Sequence, residues 1–224
     1  MSVRFGAFGK VPALGDFFNF GLNRGFIDAW DSWLQQGLLA AKAELGPDWN
    51  ECYNSAPLWR FTLPPKVAGS ECVLGVLTPS VDRVGRQFPL TLVGALPAGT
   101  RPLAAHLRCA GLFERLEDIA LDALESGLDR AALEARLADM PAGSGWDRAE
   151  AGQKGRLYRA LRGDEVGAMP DLAASLLEAA APKMGYWSAR LDGESRSLAI
   201  DGLPAATSMR ILFDVGAPAW AVEA

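Results

Sequence analysis

Two apolar runs, Val73–Leu77 and Phe88–Leu96, flank the polar stretch Pro79-Ser80-Val81-Asp82-Arg83-Val84-Gly85-Arg86-Gln87. Aliphatic and β-branched residues of this kind fill a pleated, buried surface, so both runs read as core strands. Strands joined by so short a loop are expected to be antiparallel neighbours. Any fold for this chain must accommodate that pair. The pairing also sets Asp82, Arg83 and Arg86 on a loop held at both ends by the core, where charge is presented from a rigid base.

The pattern on either side is mixed. Val3–Phe8 reads as a first strand, followed by a loop, Gly9-Lys10-Val11-Pro12-Ala13-Leu14-Gly15-Asp16, in which glycines and a proline forbid regular pairing. Asn23 is a plausible cap for a long helix ending near Leu45, with Phe26, Ile27, Trp30, Trp33, Leu34, Leu38, Ala41 and Leu45 at helical spacing and Gly46-Pro47 as a stop. Leu58–Leu63 reads as a strand ended by Pro64-Pro65. Beyond Pro102 the character turns helical. Helices are expected over Leu103–Leu124, ending at Ser126-Gly127, and over Arg130–Met140, capped by Asp129. Ala142–Gly155 reads as a surface loop or hinge, and Pro170 as the first residue of a helix through Leu172–Ala181. Tyr186–Leu191 and Ser197–Ile200 read as a hairpin around Asp192-Gly193, and Leu203-Pro204 opens a last helix to about Phe213. The expected class is α+β: a mostly antiparallel sheet with helices packed on it, in a single compact body over residues 1–224. Whether the late hairpin joins the first sheet is not readable from the pattern.

With a net charge of −5, the chain is expected to repel phosphate backbones, so nucleic acid is an unfavourable partner. The apolar runs are shorter than the 18 or so residues a membrane span needs, and Met1-Ser2-Val3-Arg4 lacks a signal-peptide pattern. Three widely spaced cysteines, Cys52, Cys72 and Cys109, suit neither a disulfide framework nor a zinc site, and read as buried small hydrophobes in a reducing cytoplasm.

Catalytic groups are scarce. The one histidine, His106, could share a helical face with Cys109, but two ligands do not make a tetrahedral metal site. A hydrolase would have to use Ser80 or Cys109 with that histidine. Gly6-Ala7-Phe8-Gly9-Lys10 hints at a phosphate loop and hence at a nucleotide or small-molecule sensor. The P-loop pattern fails twice, because Arg4 and Val11 stand where a glycine and a Ser or Thr are required. The acidic pairs Asp28/Asp31, Glu117/Asp118 and Asp122/Glu125 suit solvated helix faces, and Trp30, Trp33, Trp49 and Trp59 suit a core. No cofactor or metal is expected. The loop with Arg83 and Arg86 is the least bland feature, open to two readings: a structural turn paired through Asp82, or a docking loop alongside Lys10 and Asp16.

Phe8-Gly9-Lys10-Val11-Pro12-Ala13-Leu14-Gly15-Asp16-Phe17 resembles the opening Gly-Lys-x-Pro-x-x-Gly-Asp-Phe signature of the type VI secretion-associated TagF (ImpM) family. The likeness continues in order through Trp30-Asp31-Ser32-Trp33-Leu34, Ala56-Pro57-Leu58-Trp59-Arg60-Phe61, Gly75-Val76, Pro79–Arg86 and Phe88-Pro89-Leu90, with Tyr186-Trp187-Ser188 and Gly202-Leu203-Pro204 near the end. The resemblance implies a cytoplasmic, non-enzymatic accessory protein of the bacterial secretion machine. It implies post-translational repression of assembly through a forkhead-associated scaffold protein, on which a threonine kinase and phosphatase also act. Some members carry a fused phosphatase domain, which is not expected in a chain of this length. Lys10, Asp16, Ser80, Asp82, Arg83 and Arg86 are the expected partner-binding residues.

Overall fold

Asn23 turns an extended stretch into the longest helix of the chain. Its side-chain oxygen accepts the amide hydrogen of Phe26 at 2.7 Å, satisfying one donor that a helix N-terminus leaves free. Helix α1 runs Arg24–Leu45, and Gly46 ends it in a positive-φ conformation. Phe26, Trp30, Leu34, Ala41 and Leu45 form its buried stripe, as their spacing requires. This computed structural model describes residues 3–125, 128–141, 150–154, 157–161, 165–191 and 193–220.

Before α1 come strands β1 (Phe5–Gly9) and β2 (Phe18–Phe20). After it come α2 (Trp49–Ser55), β3 (Trp59–Leu63), β4 (Val73–Thr78) and β5 (Leu90–Ala95). Helices α3 (Pro102–Arg108), α4 (Ala110–Glu125) and α5 (Arg130–Ala138) follow, then β6 (Glu150–Lys154), β7 (Leu157–Leu161) and α6 (Glu165–Ala180). The hairpin β8 (Met184–Leu191) and β9 (Glu194–Asp201) and the short α7 (Arg210–Phe213) complete the chain. Seven strands form one sheet in the order β2-β1-β5-β4-β3-β8-β9, antiparallel at every step. The β4–β5 pair runs in register from Val73 opposite Ala95 to Thr78 opposite Leu90. The late hairpin does join the first sheet: Arg60 faces Ser188, and Thr62 faces Tyr186. Strands β6 and β7 make a separate two-stranded ribbon.

Alternation along the strands divides the core in two. Leu74 and Val76 of β4 point to one side, where Leu112, Phe113 and Leu116 of α4 cover them. Val73 and Leu77 point to the other, where Phe26, Trp30 and Leu34 of α1 cover them. With helices on both faces the central strands are buried throughout, which is why they read as continuous apolar runs. The result is α+β, as the pattern indicated.

Four of the indoles in the second core pin it through a donated ring N–H, whereas Nε1 of the buried Trp187 has no hydrogen-bond partner among the described residues. Trp30 donates to Thr91 Oγ1 at 2.9 Å, Trp33 to the Pro204 carbonyl at 2.8 Å, Trp59 to the Leu212 carbonyl at 2.8 Å and Trp49 to Gln87 Oε1 at 2.6 Å. A buried indole with its donor satisfied contributes its full apolar area without a desolvation penalty.

Several expectations need correction. The helix expected over Leu103–Leu124 is two helices. Cys109 leaves helical geometry at ψ 31°, its amide closing α3 on the Ala105 carbonyl while its own carbonyl starts α4. Pro170 lies inside α6 rather than at its first position, so that helix gives up the hydrogen bond a proline nitrogen cannot donate. Part of the stretch expected to be loop, Glu150–Lys154, is strand, whereas residues 142–149 and 155 lie outside the described residues, as do Ser126-Gly127 and Asp192. The last expected helix is a 3₁₀ turn at Ala206–Ser208 followed by the single turn of α7. Strand β2 and helix α2 carry no expectation from the pattern, because three residues and seven residues are too short for a period to declare itself.

Candidate functional site

The segment between β4 and β5 is itself a small hairpin. Val81 bridges Gln87, the Phe88 amide donates to the Ser80 carbonyl at 3.0 Å, and the Asp82 amide donates to the Arg86 carbonyl at 3.1 Å. At the tip the Gly85 amide donates to the Asp82 carbonyl at 2.9 Å, closing a four-residue turn with Asp first and Gly last. Gly85 has φ +82°, a conformation that costs a residue bearing a Cβ and costs glycine almost nothing.

Asp82 is the internal brace of that turn. Its side chain is buried, and Oδ1 accepts the amides of Val84 at 3.1 Å and Arg86 at 2.9 Å. Oδ2 accepts Lys10 Nζ at 3.0 Å and Arg86 Nε at 2.6 Å. Burial alone would push this carboxyl up. The Arg86 amide, the Lys10 ammonium, the Arg86 guanidinium and the Val84 amide outweigh it and hold the group well below the usual carboxylate range. A carboxylate so saturated and so acidic has no lone pair or basicity to offer a substrate.

The loop after β1 is stitched to the same turn. Arg86 Nη2 donates to the Gly15 carbonyl at 2.9 Å, and the Arg83 amide donates to the Leu14 carbonyl at 3.2 Å. Ser80 Oγ donates to the Lys10 carbonyl at 2.7 Å. Tyr53 Oη of α2 accepts the Ser80 amide at 3.1 Å and donates to the Ser80 carbonyl at 2.8 Å, while burial pushes its phenol above the ordinary range. The six expected residues therefore divide. Lys10, Ser80, Asp82 and Arg86 are bound into the framework of the loop. Asp16 is exposed, its Oδ1 accepting the Phe17 amide at 2.8 Å. Arg83 is exposed, and among the described residues its guanidinium has no hydrogen-bond or ion-pair partner. The charge of Lys10 that would face a phosphate is committed to Asp82, so the Gly9-Lys10 step is no open phosphate cradle.

Two features of the tip were not anticipated from sequence. Val84 is 69% exposed at the apex, an aliphatic side chain beside Arg83. Gly15 underlies that arginine: a Cβ at this position would come within 3.1 Å of Arg83 Nη2, so the guanidinium tip would have to give by a few tenths of an ångström to admit one. A recess of about 240 Å³ opens on the flank of the loop, lined in part by Pro12, Tyr53, Pro79 and Val81. The arrangement presents one exposed cation and one apolar side chain on a braced backbone, which suits capture of an anionic group on a partner surface.

The catalytic alternatives are not brought together. His106 Nδ1 lies 3.1 Å from Thr62 Oγ1 and Nε2 lies 2.9 Å from Ser188 Oγ, which ties α3 to β3 and β8. Burial first, and then the Arg60 charge, push its pKa down to about 4. The Ser80 hydroxyl is given to the Lys10 carbonyl, and burial raises the Cys109 thiol to about 11, so neither is an activated nucleophile. Arg60 reinforces the same face through a two-pronged pair with Glu117 at 2.6 Å. Among the described residues no group of three or more His, Cys, Asp or Glu is placed to hold a metal. No described helix is long and apolar enough to cross a membrane.

Residues 6–140 match the family model described as the TagF N-terminal domain, type VI secretion system-associated. The match spans the braced loop and the elements from β1, without its first residue, to α5. No curated protein matches the chain. Among solved structures, the crystal structure of PA0076 from Pseudomonas aeruginosa PAO1 is similar, with 31% identity, 98% of each chain covered and a TM-score of 0.83. With more than half of its length in the family model, the chain belongs to the TagF family of type VI secretion-associated proteins.

Proposed function

We propose that this protein is a cytoplasmic, non-enzymatic regulator that represses type VI secretion assembly by docking on the forkhead-associated scaffold protein of the apparatus. Membership of the family supports the pathway. The observation that carries the docking reading is the division of the two arginines: Arg86 is bound into the loop, while Arg83 and Val84 project from it and, among the described residues, the Arg83 guanidinium has no polar partner. The backbone beneath Arg83 is already braced, so docking costs the side chain's own rotamer freedom, about 0.5–1.5 kcal/mol, against the ~2 kcal/mol or more that a desolvated arginine contributes to an interface.

Calorimetric titration of the protein against the scaffold, phosphorylated and unphosphorylated, tests this. Micromolar or tighter binding to the unphosphorylated form is expected, with Arg83→Ala weakening it about thirtyfold, the equivalent of ~2 kcal/mol, and leaving thermal unfolding unchanged. Absence of binding to either form would remove the scaffold as partner. Undiminished binding by Arg83→Ala would remove the loop as the docking site.

A further inference from the structure

The two edges of the sheet are unlike. Strand β2 has three residues, a length that offers little to another chain. Strand β9 has eight, in an unbroken ladder with β8 from Met184 opposite Asp201 to Leu191 opposite Glu194. Among the described residues nothing pairs with its outer side. Proteins blunt such an edge with proline, lysine, a bulge or a covering segment. Between Glu194 and Asp201 there is no proline, lysine or bulge. The one cation, Arg196, is turned away, donating to the Val215 carbonyl with its guanidinium 5.1 Å from the Trp220 ring centroid. Leu198 and Ile200 pack only partly against the second core, and Ser195, Ser197 and Ala199 are exposed on the other face.

We propose that two copies of this chain pair through β9 in an antiparallel, two-fold arrangement that continues the sheet from one copy into the other. The sequence of β9 carries the argument, because an added strand has to match it in both faces and charge. Opposed residues in a sheet point to the same side, and a slip of one residue exchanges the faces. With Leu198 opposite Leu198 of the second copy, Arg196 faces Ile200, Ser197 faces Ala199 and Ser195 faces Asp201. The half-buried aliphatics of both copies then meet on one side and the small residues on the other. No like charges stand opposite each other, and Ser195 is set to donate to Asp201. Such an interface is isologous and closes on itself, giving a dimer rather than a fibre.

Sedimentation velocity or light scattering on the full chain between about 1 and 100 µM tests the pairing, across the range typical of weak to moderate association. A dimer is expected. Ser197→Glu with Ala199→Glu places like charges opposite each other twice across the two-fold axis and should weaken it at least a hundredfold. Ser197→Lys with Ala199→Lys should do the same. Ser197→Lys with Ala199→Glu sets each introduced lysine opposite an introduced glutamate and should restore the dimer. Circular dichroism of all three should match the parent, since both positions are exposed, and the like-charge variants should lose only the part of the melting temperature that rises with protein concentration in the parent. A parent protein that stays monomeric throughout, or a dimer indifferent to the like-charge variants, would overturn the proposal. Failure of the opposite-charge variant to restore association would overturn this register.

Discussion

The Asp82 carboxylate accepts four hydrogen bonds, whereas the guanidinium of its neighbour Arg83 donates none among the described residues. Asp82→Ala therefore strands two cations and two amides at once. It should lower the melting temperature and speed amide exchange across residues 83–86, an effect that Arg83→Ala should not share. His106 gives a second residue-scale expectation. Its pKa falls from 6.5 in the unfolded chain to about 4 in the folded one, so between those values the unfolded chain binds the proton and the folded chain does not. Stability from this site is complete above pH 6.5 and is lost as pH falls toward 4, by up to about 3 kcal/mol. Urea unfolding across that range should show the slope, and His106→Gln should flatten it. The sequence displays Arg83 and Arg86 as equals on one loop. Which of them reaches Asp82 depends on the turn that Gly85 permits, and that is a property of the backbone, not of residue type.

At the scale of elements, α1 was legible from end to end because cap, apolar period and stop agree. Its anchor is Trp30, fully buried, with its ring 4.9 Å from Phe61 and 6.2 Å from Trp187. Trp30→Ala should cost about 3–5 kcal/mol, measured as a fall in the urea midpoint. The central strands were legible for the same reason of agreement between composition and length. The break at Cys109 was not. Arg108-Cys109-Ala110-Gly111 carries no proline, and its glycine lies two residues beyond the break. What sets the break is tertiary: α3 is tied to β3 and β8 through His106, while α4 is tied to β3 through Glu117. The two helices are attached to the sheet separately, and Cys109, at ψ 31°, takes up the break between them.

For the molecule as a whole, the decisive pairing is β3 with β8. The loop of interest lies within residues 6–140, but the sheet that supports it does not. A fragment ending at residue 140 would leave β3 as an open edge and strip Trp187 from Phe61 and Trp30. Such a fragment should lack a cooperative thermal transition and bind a hydrophobic dye, whereas the full chain should unfold in one step. No sequence pattern announces this, since a hairpin's alternation specifies its own faces and says nothing of which strand it will meet.

The same pairing has a consequence in time. Translation delivers β8 about 120 residues after β3. At roughly 5–20 residues per second, the β3 edge leaves the ribosome roughly 6–24 s before its neighbour exists. For that interval a strand of Trp59, Phe61 and Leu63 is without the partner that will cover it, and any extended apolar segment nearby competes for its hydrogen bonds. Yield in the cell should therefore depend on holdase chaperones and on the rate of elongation more steeply than the stability of the finished protein would suggest.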